Sequence, residues 1–155
     1  MATEQNPPNQ KTTFRTREQE AAIGLLRTTD AIRRHFSAIV APFGITLQQF
    51  NVLRILRGAG KEGLPTLAIG ERMVEKTPGV TRLIDRLVKK GLVTRRPCEE
   101  DRRRVYCHIT PSGLKVLGSL DEPVAKADAM SVAPLTPSEL DKLIVLLDQI
   151  RAHNS

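Results

Sequence analysis

Apolar and polar positions follow two different periods between residues 76 and 110. The first part is helical, because apolar residues recur there at the spacing of one helix face. These residues are Val80, Leu83, Ile84, Leu87 and Val88. Thr77 followed by Pro78 is typical of an N-cap and a first helical residue, so we predict that this helix begins at Thr77. Gly91 would end it in a left-handed conformation.

After Gly91 the apolar period falls to two, which is typical of β-strands. We predict strands over residues 92–96 and 104–109, joined by a turn between them. In the second strand Val105, Cys107 and Ile109 would share one face. The segment therefore predicts a helix that carries a β-hairpin.

Helical patterns also flank this segment on both sides. The predicted helices cover residues 15–40, 47–57, 64–73, a stretch starting at Thr110–Pro111, and 137–151. Pro123 should kink the fifth helix or end it near Glu122, with continuation to about residue 130 as the alternative. A short helix, a turn at residues 74–76 and a basic helix form a helix-turn-helix, which the hairpin makes winged. The predicted fold is mainly α with a small β-hairpin wing (α+β), with six helices.

The predicted organisation is one domain with a polar tail. Residues 1–13 should be a disordered tail, and residues 14–155 the domain. Within it, residues 46–110 would form the winged helix-turn-helix lobe, and residues 14–41 and 111–152 the dimerisation helices. The last helix is apolar around most of its circumference, which a monomer of this size could not bury, so we expect a homodimer.

Charge and composition narrow the class of partner. Residues 76–104 carry ten basic and four acidic residues, a net charge of +6 out of +7 for the whole chain. Such a concentration favours a polyanion, and an aromatic content of only 3% favours duplex DNA over single-stranded nucleic acid. We expect no signal peptide, no membrane span, a cytoplasmic location and no disulfide framework for the two cysteines.

Four motifs in order resemble the MarR family of bacterial transcription regulators. They are Phe43–Leu53, Thr81–Leu87 with Lys90–Val93, Asp101–Arg103, and Thr110–Gly113. The resemblance implies a dimeric six-helix winged-helix protein that binds pseudo-palindromic DNA, usually as a repressor, and is often released by a small aromatic or phenolic ligand. It also implies that the helix after Thr77 enters the major groove and that Arg103 enters the minor groove. Two departures stand out: Val74–Glu75 replaces the usual Gly and apolar residue of the turn, and Gly79 replaces a residue that often touches bases.

The candidate DNA-binding residues lie on the basic helix and the hairpin. They are Thr77, Pro78, Gly79, Thr81, Arg82, Arg86, Lys89, Arg95, Arg96, Asp101, Arg102, Arg103 and Arg104. Arg82 and Arg86 would contact base edges or phosphates; the alternative is a solvated face on which Asp85 pairs with Lys89. Asp101 would hold Arg103 or be one more loop charge, and the remaining arginines would contact phosphates or be additional surface charge.

Other functions are less well supported by the residues. Cys98 lies beside Arg96 and Arg102, so a thiol-based redox regulator is one alternative. A winged-helix protein-interaction module, with the basic face on an acidic partner, is another. The histidines lack ligand spacing, and we expect no metal site, no cofactor and no enzyme activity.

Overall fold

The computed structural model describes residues 13–155. The chain divides into two units after Ile32, inside the first helix, and the second unit holds residues 33–155. Apart from Thr13, the predicted disordered tail lies outside the described residues.

Six α-helices and one antiparallel hairpin make up the described chain, which confirms the predicted fold class. In chain order they are α1 Arg17–Val40, α2 Leu47–Ala59, α3 Thr66–Arg72, α4 Val80–Lys89, β1 Val93–Pro97, β2 Val105–Ile109, α5 Pro111–Ser131 and α6 Pro137–His153. Short 3-10 turns at Ala41–Phe43 and Gly60–Glu62 follow α1 and α2. Complete capping boxes precede two of the helices. Thr46 and Gln49 exchange both capping-box hydrogen bonds before α2, and Thr136 and Glu139 do the same before α6.

The core of the second unit lies where α2, α3, α4 and α5 meet. Apart from Cys107, its fully buried side chains are aliphatic, as the scarcity of aromatic residues requires. The largest are Leu53, Leu56, Ile69, Ile84, Leu87, Leu117 and Leu120. Removing water from these surfaces is the main stabilising term, at about 25 cal/mol per Å² of apolar area. The core therefore holds the helix-turn-helix against α2 and α5.

The hairpin is attached to the core through its proximal end. Val93 pairs with Ile109 and Pro97 with Val105 in the register of β1 and β2. Leu64 adds a short bridge, because its N–H donates to the Cys107 carbonyl at 3.0 Å and its carbonyl accepts from the Cys107 N–H at 2.7 Å. Cys107 is fully buried, whereas Val105 at the distal end is exposed. The predicted common face is thus buried only near the core.

Helix α4 begins at Val80, so the predicted start at Thr77 is wrong. Its N-cap is Gly79, whose φ of −111° and ψ of 27° are not helical. The carbonyl of Gly79 accepts the N–H of Leu83 at 3.1 Å, while Pro78 and Gly79 form a turn. Glycine is a poor residue inside a helix, so the chain enters the helix after it. The predicted C-terminus is confirmed, since Gly91 has a φ of 72°.

Helix α5 continues through Pro123, so the predicted end near Glu122 is wrong and the continuation is right. A proline in a helix removes one hydrogen bond and crowds the preceding turn. Here the apolar stripe continues on both sides of it, with Leu117, Leu120, Val124 and Ala127 all buried. Their burial offsets the local cost.

Helix α6 has no buried residue within the described chain. Its apolar side chains Ile144, Val145, Leu146 and Ile150 are each about half exposed. Among residues 13–155 no single helix is long and apolar enough to cross a membrane. The bent pair 17–43 and 47–62 would suffice by length and composition together, but α2 within it buries Phe50, Leu53 and Leu56 in the core.

We expect Gly113→Ala to destabilise the protein. A Cβ at Gly113 would lie 2.5 Å from the Leu92 carbonyl oxygen and 2.7 Å from Ile109 Cγ1, so backbone at the junction of α5 and the hairpin must move. Overpacking of this kind costs about 1–3 kcal/mol. Gly118→Ala is the matched control on the same helix, because a Cβ there meets no described atom within 4 Å; it should stabilise by up to about 1 kcal/mol. Urea unfolding that ranks the two variants the other way would contradict this packing.

We expect the ion pair between α2 and α5 to make stability depend on acid pH. Arg57 donates two hydrogen bonds of 2.9 Å to the Asp121 carboxylate. This contact lowers the pKa of Asp121 below its ordinary 3.8. The stabilisation is therefore complete above 3.8 and is lost as pH falls through the lower folded-state pKa. Thermal unfolding of wild type and Asp121→Asn should differ slightly at neutral pH and converge in strong acid. Asp128→Asn removes an exposed carboxylate from the same helix and is the control; a difference for Asp121→Asn that persists in strong acid would argue against this pair.

Candidate nucleic-acid interface

Helix α4 separates an apolar face from a cationic one. Leu83, Ile84 and Leu87 are buried, which confirms the predicted stripe. The opposite face is exposed and carries four of the predicted site residues: Thr81, Arg82, Arg86 and Lys89. Because the buried face fixes the rotation of the helix about its axis, these polar side chains must point away from the core.

The start of α4 lies beside α3 along an open groove of about 550 Å³. Thr77, Pro78 and Thr81 line it from one side, and Leu67, Gly70 and Glu71 from the other. Gly79 adds no side chain, and a Cβ built there would meet no described atom within 4 Å. The backbone at the beginning of α4 is therefore open to close approach from outside.

One ion pair joins α4 to the hairpin. Arg95 on β1 donates to Asp85 on α4 at 2.6 Å, and the Arg95 side chain is 31% exposed. The partner of Asp85 is therefore Arg95 on the neighbouring strand, where the sequence suggested Lys89. Arg96, the next residue, is exposed. The pair holds β1 against the basic helix while Arg96 faces solvent.

The tip of the hairpin is organised by Asp101. Its carboxylate accepts the backbone N–H of Arg103 at 3.1 Å, and its carbonyl accepts the N–H of Arg104 at 2.9 Å. The carboxylate also lies 3.7 Å from Arg103 Nε and 4.0 Å from Arg104 Nε. The Arg103 side chain remains 94% exposed, and Arg102 is exposed beside it. Asp101 thus shapes the turn and orients Arg103 without covering it.

The turn between α3 and α4 has contacts that the sequence patterns did not indicate. The Val74 N–H donates to the Asn51 side-chain oxygen at 2.9 Å. Glu75 forms an ion pair with Arg33 of α1, and Lys76 Nζ donates to the Glu71 carbonyl at 2.6 Å. Arg33 and Asn51 lie far from the turn in sequence and on other helices, so no local spacing signals them.

The two cysteines lie in different surroundings. Cys107 is buried in the core, whereas Cys98 is half-buried at the distal end of the hairpin, where its N–H donates to the Arg104 carbonyl at 2.7 Å. Within residues 13–155, no group of three or more His, Cys, Asp or Glu side chains is placed to hold a metal ion.

Comparison with known proteins places this geometry in a family. The model of the MarR family matches residues 45–105. The uncharacterised HTH-type transcriptional regulator YkoM of Bacillus subtilis is 30% identical over 145 residues, which are 91% of this chain and 93% of that protein.

Solved structures agree over a similar length. A MarR transcription factor from Planctomyces limnophilus is 39% identical with a TM-score of 0.66, over 88% of this chain and 99% of the other. A cysteine-to-serine variant of MarR from E. coli, in complex with operator DNA, is 25% identical with a TM-score of 0.76, over 84% and 93%. The winged helix-turn-helix described above and these matches along most of the chain show that the protein belongs to the MarR family of transcriptional regulators.

Proposed function

We propose that the protein is a cytoplasmic, dimeric transcriptional regulator without enzyme activity, which binds a pseudo-palindromic duplex operator. It acts as a repressor and is released from DNA by a small aromatic or phenolic ligand, in the manner usual for its family. The observation that carries the proposal is the cationic face of α4, exposed opposite a buried stripe and accompanied by a second cationic element, the hairpin tip.

In this proposal α4 enters the major groove, which admits a helix of this width. Arg82 and Arg86 are exposed and one turn apart on the same face, so both can reach base edges. Lys89 lies one turn further and contacts a phosphate. At the other end, Thr77, Pro78 and Gly79 allow the backbone to approach the duplex closely, with Thr81 beside them.

The hairpin tip reaches the adjacent minor groove. Arg103 is the inserted side chain, since its guanidinium is almost fully exposed while its backbone is held by Asp101. Narrow minor grooves concentrate negative potential and attract arginine, so this contact reads the shape of the DNA. Arg96, Arg102 and Arg104 contribute phosphate contacts and affinity. Arg95 adds positive potential while it remains paired with Asp85.

Dimer formation follows from α6. Leu143, Leu146, Leu147 and Ile150 share one face at helical spacing, and the single described chain leaves Leu146 and Ile150 largely uncovered. A second copy would cover them. Two copies of α4 related by a twofold axis then match the two halves of a pseudo-palindromic operator.

We expect Arg82→Ala and Arg103→Ala to weaken DNA binding in different ways. Loss of a bidentate base contact by Arg82 should relax the preference at one symmetric pair of operator positions by about 1–3 kcal/mol. Loss of Arg103 should reduce affinity chiefly for sites with A·T-rich flanks. The measurement is titration of both variants against DNA selected by the wild type from a random pool, and against scrambled DNA, at two salt concentrations.

Lys61→Ala is the control for that experiment, because it removes one exposed cation outside helix α4 and the hairpin. Uniform losses on both DNAs for Arg82→Ala and Arg103→Ala, with the salt slope reduced by about one per contact, would leave only phosphate binding. The assignment of base and shape reading to these two arginines would then be wrong.

We expect Leu146→Glu combined with Ile150→Glu to yield folded monomers. Both side chains are exposed in the single chain, so the charges should leave the protomer intact and repel the second copy across the interface. Gln149→Glu, which places the same charge on a polar position of α6, should remain dimeric. Analytical ultracentrifugation at micromolar concentration measures both. A wild-type protein that is folded and monomeric in this experiment would refute the dimer.

A further inference from the structure

The turn between α3 and α4 is held by side chains from two other helices. Asn51 of α2 accepts the Val74 N–H at 2.9 Å. Arg33, in the part of α1 that belongs to the second unit, forms an ion pair with Glu75. Since α4 starts only a few residues later, at Val80, the position of this turn determines where α4 begins.

Stability alone does not account for the ion pair. The Arg33 and Glu75 side chains remain 49% and 42% exposed. Pairs with such exposure contribute little to stability, because water screens them and two long side chains lose freedom. The fold is held by the aliphatic core, in which the α4 residues Ile84 and Leu87 are fully buried.

The negative charge of the Glu75 carboxylate also affects the electrostatics of DNA binding. The turn adjoins the exposed cationic face of α4, and a negative charge within about 8–10 Å of DNA phosphates repels them at physiological salt. A carboxylate there acts against DNA binding through its charge, whereas its ion pair with Arg33 holds the turn in place.

We propose that Arg33 and Asn51 are positioning residues for DNA binding, which hold the Val74–Glu75 turn and thereby fix the start of the recognition helix relative to α1 and α2. Neither residue touches the DNA. The ion pair links the C-terminal part of α1, residues 33–40, to the proposed DNA-binding element, so a displacement of this part moves the start of α4. This inference rests on the function proposed above.

The test compares two effects on DNA affinity that have opposite signs: the loss of a negative charge and the loss of the contact that positions the turn. Neutralising an acidic residue beside DNA should strengthen binding if charge is all that matters. Glu75→Gln should instead weaken binding of the full-length protein to its selected operator by up to about fivefold, which is the most that the loss of one exposed ion pair accounts for. Glu71→Gln is the matched control, because it neutralises another exposed carboxylate on the neighbouring α3 and should bind as tightly as wild type or more tightly.

A double variant that restores the ion pair distinguishes its positioning effect from the mere loss of the Glu75 side chain. The double variant Arg33→Glu with Glu75→Arg keeps the net charge and can form the reversed pair, so it should regain most of the lost affinity. Its salt slope should equal that of wild type, since a new phosphate contact would steepen the slope by about 0.9. Asn51→Ala, which removes the acceptor of the Val74 N–H, should also lower operator affinity.

Two results would overturn the inference while leaving the proposed function intact. One is a Glu75→Gln protein that binds the selected operator as tightly as wild type or more tightly. The other is equal weakening by Glu75→Gln and Glu71→Gln. If the wild type itself fails to prefer any sequence from the random pool over scrambled DNA, the proposed function fails and this inference fails with it. Thermal unfolding of each variant confirms that the fold is retained in every comparison.

Discussion

Burial of one apolar stripe on α4 is the interaction on which the remaining structure depends. Leu83, Ile84 and Leu87 lose their contact with water against α2 and α3, and this fixes the rotation of the helix. The positions between them must then face outward, and those positions carry Arg82 and Arg86. The same physical step that folds the lobe therefore builds its cationic surface.

The wing depends on the core in a similar way. Cys107 is buried, and its backbone pairs with Leu64 on one side while β1 pairs with β2 on the other. At the base, the Thr110 hydroxyl donates to the Gly91 carbonyl at 2.7 Å. The proximal half is thus anchored to the segment that precedes α3 and to the junctions of the hairpin with α4 and α5, and the distal half projects outward with Arg103 at its tip. A rigid base with an exposed tip fits the minor-groove contact proposed for Arg103.

Two ion pairs between structural elements restrict the relative positions of those elements, in addition to the apolar core. Arg95 and Asp85 join the hairpin to α4, and Arg33 and Glu75 join α1 to the turn before it. Each pair is partly exposed, so it contributes little to the free energy of unfolding. In the function proposed above their effect is geometric, because each pair would restrict how one element of the proposed DNA interface moves against its neighbour.

The sequence by itself determined the six helices, the hairpin, both capping boxes and the rotation of α4, because periodicity and caps are local. The start of α4 was predicted wrongly, because Gly79 rather than Thr77 precedes the first helical residue. The predicted end of α5 near Glu122 was also wrong, because burial of Leu120 and Val124 offsets the cost of Pro123 inside the helix. Only the tertiary structure decided that Asp85 meets Arg95 and that Arg33 meets Glu75. Those partners come from separate elements, and the distance between them is set by the packing of the whole core, which no local pattern records.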